Sequence, residues 1–139
     1  MEIIHKELEG NEKIEEAILA VQKTPSNETL AQALTAIRRQ MVAGAHLIVS
    51  VDQIPEEEQL SLRTIDTADG KRWFAAFTGY EEQLMGSNPI MSTFTAPIGQ
   101  LLETTLAAEM VDGVILNPWN RTMALNKQLI AFILEEKHA

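Results

Sequence analysis

The sequence predicts an α+β fold: a single compact domain, with a mixed β-sheet around a central hairpin, packed by N-terminal, crossover and C-terminal helices. Three observations predict it. Apolar residues spaced three and four apart occupy both ends of the chain and one stretch between them. Short apolar or alternating runs fill the intervals. An Asp69-Gly70 pair separates two of those runs, and both residues tolerate the positive φ of a tight turn.

The elements follow in order. Ile14, Ala17, Ile18 and Val21 form a first helical stripe behind Gly10-Asn11, where Asn11 is placed to cap. Thr24-Pro25-Ser26-Asn27 closes that helix and opens the next, with Thr24 or Ser26 as cap and Pro25 tolerated in the first turn. Leu30, Ala33, Leu34, Ile37 and Met41 form the second stripe, and Arg38-Arg39 suit the negative end of its dipole. Gly44 marks the stop. Residues 45–51 are nearly continuous in apolar character, as expected of a strand buried on both faces.

Glu56-Glu57-Glu58 then reads as a solvated loop, since no glycine is near to turn a cation-binding loop. Residues 60–78 read as a β-hairpin around Asp69-Gly70, with Leu60 to Ile65 as its first arm. In the second arm Trp73, Ala75 and Phe77 share one face, and Arg72, Phe74 and Ala76 the other. Thr78 to Glu81 has the spacing of a capping box for a short helix, which Gly86 to Pro89 ends. Residues 90–95 predict a strand. Pro97 opens a helix with Ile98, Leu101, Leu102, Thr105, Leu106 and Met110 on one side, ended by Asp112-Gly113. Val114 to Asn117 predicts a short buried strand, 118–121 a loop and 122–125 a brief strand. Asn126 caps a last helix that turns Leu129, Ile130, Ile133 and Leu134 inward.

Composition narrows the function classes. A chain of 139 residues suits one domain, able to bury roughly two thirds of its unfolded surface. Hydrophobic residues make up 45%, too many for a disordered chain. There is no cysteine, so disulfides, thiolate metal sites and a cysteine nucleophile are excluded. The formal net charge is -9, which argues against binding nucleic acid or an anionic membrane. Residues 1–60 carry 11 acidic and 5 basic groups, so much of that charge lies near the N-terminus. Neither a signal peptide nor a membrane span is visible, and a cytoplasmic address is expected.

The pattern offers little for catalysis. Of His5, His46 and His138, two lie near the termini, and His46 reads as a strand-end histidine with a satisfied hydrogen bond. No second ligand stands at metal spacing, no nucleophile elbow occurs, and the 7 glycines never form a phosphate loop. The expectation is therefore no enzyme, no metal and no cofactor. Two segments place large side chains in loops. One runs from Phe77 to Glu81 through Thr78 and Tyr80. The other is Asn117-Pro118-Trp119-Asn120-Arg121. Trp, Tyr and Arg anchor binding surfaces more often than other residues. Turn hydrogen bonds from the asparagines and packing of both rings on the core edge explain the same residues structurally.

Gly70-Lys71-Arg72-Trp73-Phe74-Ala75-Ala76-Phe77-Thr78 has the form G-x-R-W-x-x-A-F-T and leads into Tyr80-Glu81-Glu82-Gln83-Leu84. Leu101-Leu102 and Ala107-Ala108 then precede Asp112-Gly113-Val114-Ile115-Leu116-Asn117-Pro118, of the form G-[VI]-x-[LI]-N-P. This order and spacing resembles the N-terminal domain of the SseB family, the enhanced serine sensitivity protein B, over about residues 27–135. Residues 1–23 read as an additional N-terminal helix. The resemblance implies a compact α+β domain with no established catalytic activity, in a family of regulatory or binding proteins whose longer members carry a second domain. It carries over Arg72, Trp73, Phe77, Thr78, Asn117 and Pro118 as motif residues and no catalytic ones.

The sequence reading is thus a non-enzymatic regulatory or protein-interaction module. Its site residues are Arg72, Thr78, Tyr80, Asn117, Trp119, Asn120 and Arg121, its partner a protein, and a homodimer stays open. The alternative is a sensor of an amino acid or sulfur metabolite, with Thr78, Asn117 and Asn120 as polar groups in a pocket. A carboxylate-based enzyme is a third possibility.

Overall fold

The computed structural model describes residues 8–54, 59–79 and 92–135. In chain order they form α1 (Glu12–Lys23), α2 (Asn27–Val42), β1 (His46–Ile54), β2 (Gln59–Leu62), β3 (Thr64–Asp66), β4 (Arg72–Phe77), β5 (Ser92–Pro97), α3 (Ile98–Ala107), β6 (Gly113–Leu116), β7 (Met123–Asn126) and α4 (Lys127–Glu135). The acidic 56–58 stretch and the short helix expected beyond Tyr80 lie outside the described residues, as do His5 and His138.

The strands make one mixed sheet, in which β4 and β6 run parallel and every other pairing is antiparallel. Across it the order runs β5, β1, a shared β2–β3 position, β4, β6 and β7. The shared position corrects the hairpin expected over 60–78. Its turn is as expected: Gly70 has φ +85°, and the Thr67 N–H donates to the Lys71 carbonyl. The arms, however, pair only over 64–66 and 72–74. Residues 59–62 leave β4 and pair with 51–54 of β1 instead. Arg63 is the changeover, its N–H donating to Ser50 and its carbonyl accepting from Ala75. β1 and β4 themselves meet at Ile48–Phe77 and Val49–Ala76, and the 59–66 segment fills the gap where they diverge.

The four helices among the described residues cover one sheet face. Ile14, Ile18, Ile37, Ile98, Leu102, Ile130 and Ile133 interlock there with Leu47, Val49, Phe74, Ala76, Val114 and Leu116. The alternate strand residues Ile48, Trp73, Ala75, Phe77 and Ile115 form a second cluster on the other face, joined by Leu8 and Ile65. Period-2 alternation in β4 thus serves two apolar faces, as the sequence predicts. α1 is integral to the fold. Ile14 and Ile18 are fully buried, and each such side chain contributes about 1.5–3 kcal/mol.

Several helix ends depart from expectation. Ser26 caps α2 in a capping box with Thr29, and Pro25 precedes the cap instead of entering the first turn. Ser26→Ala should cost about 1 kcal/mol in urea denaturation; an unchanged midpoint would mean the box contributes nothing. Asn126 caps α4 as expected, accepting from the Leu129 N–H at 2.9 Å. α3 stops at Ala107, short of Asp112, and the Lys127 ammonium covers the freed Ala108 carbonyl at 2.6 Å. Leu106 and Met110 are therefore not core residues; they are 36% and 56% exposed. α3 carries the chain from β5 across β1 and β4 to β6.

Candidate functional site

The carboxyl ends of the parallel pair β4 and β6 place Thr78 beside Asn117, both buried. The Thr78 N–H donates to Asn117 Oδ1 at 2.9 Å, and Asn117 Nδ2 donates to Thr78 Oγ1 at 3.1 Å. The Thr78 hydroxyl donates in turn to Glu15 Oε2. Glu15 Oε1 pairs with the Arg121 guanidinium at 3.3 Å, with both side chains less than a quarter exposed. One carboxylate of α1 thereby ties the end of β4 to the loop after β6.

Asn11 extends the network. It stands at the cap position of α1, yet its backbone is already helical and its side chain makes no cap bond. Its Nδ2 donates to the carbonyls of His46, at 2.8 Å, and Thr78, at 3.1 Å. Its Oδ1 accepts from Gln40 Nε2 at 2.9 Å. A buried amide is costly unless its hydrogen-bonding groups are paired, and here both Asn11 atoms are.

The loop from 117 to 122 is tightly specified. Asn117 has φ 49° and Arg121 φ 35°, a left-handed backbone that side chains other than glycine adopt with strain. The Asn120 N–H and the Thr122 hydroxyl both donate to the Asn117 carbonyl, at 3.1 and 2.6 Å. Pro118 sits second in the turn that results, where its fixed φ fits. Gln22 Nε2 of α1 reaches the Thr122 carbonyl at 3.4 Å. At the loop's tip Trp119 is 43% exposed, and Asn120 is exposed beside it.

Four sequence-selected residues beyond Thr78 thus share this end of the molecule: Asn117, Trp119, Asn120 and Arg121. Tyr80 lies outside the described residues. Arg72 lies at the opposite end of β4, about 20 Å away at roughly 3.3 Å per strand residue. There its guanidinium holds Asp66 at 2.7 Å, and its backbone N–H donates to Asp112 Oδ2 at 2.9 Å. It fastens the hairpin to the turn before β6.

The hydrogen bond from Arg72 is the main cause of an Asp66 pKa below the usual 3.8; desolvation opposes it, and the guanidinium charge adds to the lowering. A lowered folded pKa gives stability that is present above 3.8 and is lost as pH falls through the folded value. With Arg72→Ala, an NMR titration should find the Asp66 carboxyl back near its ordinary value. An unmoved titration would detach Asp66 from Arg72.

The sequence did not single out Glu15, which looks like one more exposed helix acid, and it read Asn11 only as a cap. His46 Nδ1 lies 3.2 Å from Thr95 Oγ1, the satisfied strand-end histidine expected. Among the described residues no group of His, Asp and Glu could hold a metal, and no helix is long and apolar enough to cross a membrane. Thr78 and Asn117 spend their polar atoms on each other, on Glu15 and on the loop backbone. An apolar cleft of about 210 Å³ lies elsewhere, between β5 and α3, lined by Val49, Leu62, Phe94, Ala96 and Leu101 among others.

Comparison with curated proteins and with solved structures returns no match. Residues 14–131 match the family described as SseB protein N-terminal domain, a span that takes in most of α1 as well as the sheet and the loop. The chain belongs to that family.

Proposed function

We propose that the domain is a non-enzymatic protein-interaction module and that the 117–122 loop is its contact surface. The observation that carries this reading is Trp119, a large apolar side chain 43% exposed at the tip of a loop held by two left-handed residues. A loop already fixed by Asn117, Arg121 and Thr122 loses little conformational entropy on docking, and Trp is the side chain most suited to anchor an interface. A regulatory role is served by the same surface, since binding without chemistry is enough to regulate a partner.

Trp119→Ala is the test. The side chain is half out of the fold, so the melting temperature should stay close to the parent's. Proteins retained by the immobilised parent should be lost from the variant. Retention of the same proteins by both would refute the loop as the contact. Arg121 is left unchanged in this test because its ion pair with Glu15 supports the loop.

A further inference from the structure

The loop does not stand alone. Glu15, Leu19 and Gln22 occupy one side of α1, because residues four and three apart lie within about 60° of one another around a helix. Glu15 bonds Arg121 and Gln22 bonds the Thr122 carbonyl. Leu19 stands between these two anchors and is 45% exposed. Two large apolar side chains, Leu19 and Trp119, are thus left facing solvent on adjoining elements.

On the other side of Leu19 the helix turns acidic. Glu12 and Glu16 fall about 20° and 60° from Leu19, away from the loop. Both are exposed and have no ion-pair partner among the described residues. Lys23 shares that flank near the helix end, and Lys13 stands about 60° beyond Glu16. On its N-terminal half the apolar strip therefore borders two acids, Glu12 and Glu16, on a chain whose net charge is -9. A second copy of such a chain is repelled, and a cationic partner is attracted.

We infer that α1 and the 117–122 loop together take a basic amphipathic segment of another protein, with apolar side chains against Leu19 and Trp119 and Lys or Arg toward Glu12 and Glu16. This names the partner chemistry of the proposed contact and rests on that reading. Its charge complementarity sets which partners are admitted, while the apolar pair sets where they sit.

The test uses two short synthetic amphipathic helices as probes, one of Leu and Lys and one with Glu in place of every Lys. The intact domain carries two tryptophans. Trp73 is buried and bonded through Nε1 to Thr67, so its indole NMR signal reports the fold, and that of Trp119 reports the surface. The Leu/Lys helix should shift the Trp119 signal and leave Trp73 in place.

Calorimetry should then give a Kd about tenfold weaker for the Glu12→Lys/Glu16→Lys variant than for the parent, and the parent's affinity should fall at raised salt. Leu19→Ser and Trp119→Ala should weaken it independently. Equal affinity for the Leu/Glu helix, or no effect of the charge reversal, overturns the basic partner while leaving the loop as a contact. Leu/Lys binding that ignores both Leu19→Ser and Trp119→Ala, or that leaves Trp119 unshifted, overturns the assigned surface. Failure of the contact reading itself shows separately, as proteins still retained by Trp119→Ala.

Discussion

Gly113→Ala is expected to unfold the domain or to cost it about 3 kcal/mol, the upper end for an overpacked core. A Cβ at this position would stand 2.0 Å from the Leu125 carbonyl oxygen and 3.0 Å from Asn126 Cα. Neither neighbour can move aside, because both belong to the backbone of β7, which pairs with β6 through Gly113 and Asn126. The residue is fully buried between β4 and β7, so no relaxation toward solvent is open to it. Urea denaturation of parent and variant measures the effect. A change below about 0.5 kcal/mol, the scale of an ordinary surface substitution, would show that the strand pair is looser than its geometry implies.

Asn117→Ala should cost a similar amount for a different reason. The change leaves the buried Thr78 N–H without its acceptor, a loss of about 1–3 kcal/mol, and removes a donor to Thr78 Oγ1. It also puts a side chain that gains nothing locally at φ 49°. Asn117→Gly separates the two effects. Glycine loses the same hydrogen bonds but adopts this φ freely, so it should recover about 1 kcal/mol relative to alanine. Equal stability of the two variants would remove backbone strain from the explanation. Parent-like stability of both would remove the network. The alanine variant should also loosen the loop, and Trp119 should lose part of whatever docking it supports.

Much of the fold is legible where the determinants are local. Asn126, and Ser26 of the two candidates Thr24 and Ser26, behave as caps, because such a cap needs only a short polar side chain and a helical run after it. Asp69-Gly70 makes its turn for the same reason. Non-local choices are hidden. Leu60 to Ile65 alternates like one strand, and the exchange of partners at Arg63 is decided by the divergence of β1 and β4. The apolar spacing of α3 continues to Met110 although the helix stops at Ala107, and its terminal carbonyl is met by Lys127, 19 residues on.

The site follows the same division. Asn117, Trp119, Asn120 and Arg121 are contiguous, so their gathering in one loop could be read directly. Thr78 joins them because β4 and β6 end side by side. Arg72 opens the strand that ends just before Thr78, so the length of β4 separates them, which sequence proximity conceals. Glu15 and Asn11 reach partners 63 and 67 residues away, and no local pattern announces contacts of that range.

The meeting of β1 and β4 bears on what holds the sheet together. These strands share a short seam. Arg63 closes it at one end, and at the other the Asn11 amide bridges the His46 and Thr78 carbonyls. Among the described strands, β5, β1 and β2 lie on one side of it, and β3, β4, β6 and β7 on the other. The helix layer and the α3 crossover also join them, and the last stitch of the seam comes from the start of α1. The alignment of the two groups of strands therefore draws on the N-terminal helix twice, through the Asn11 amide and through Ile14 and Ile18 buried in the shared core. The start of α1 is thus a clasp across the sheet as well as a part of its cover.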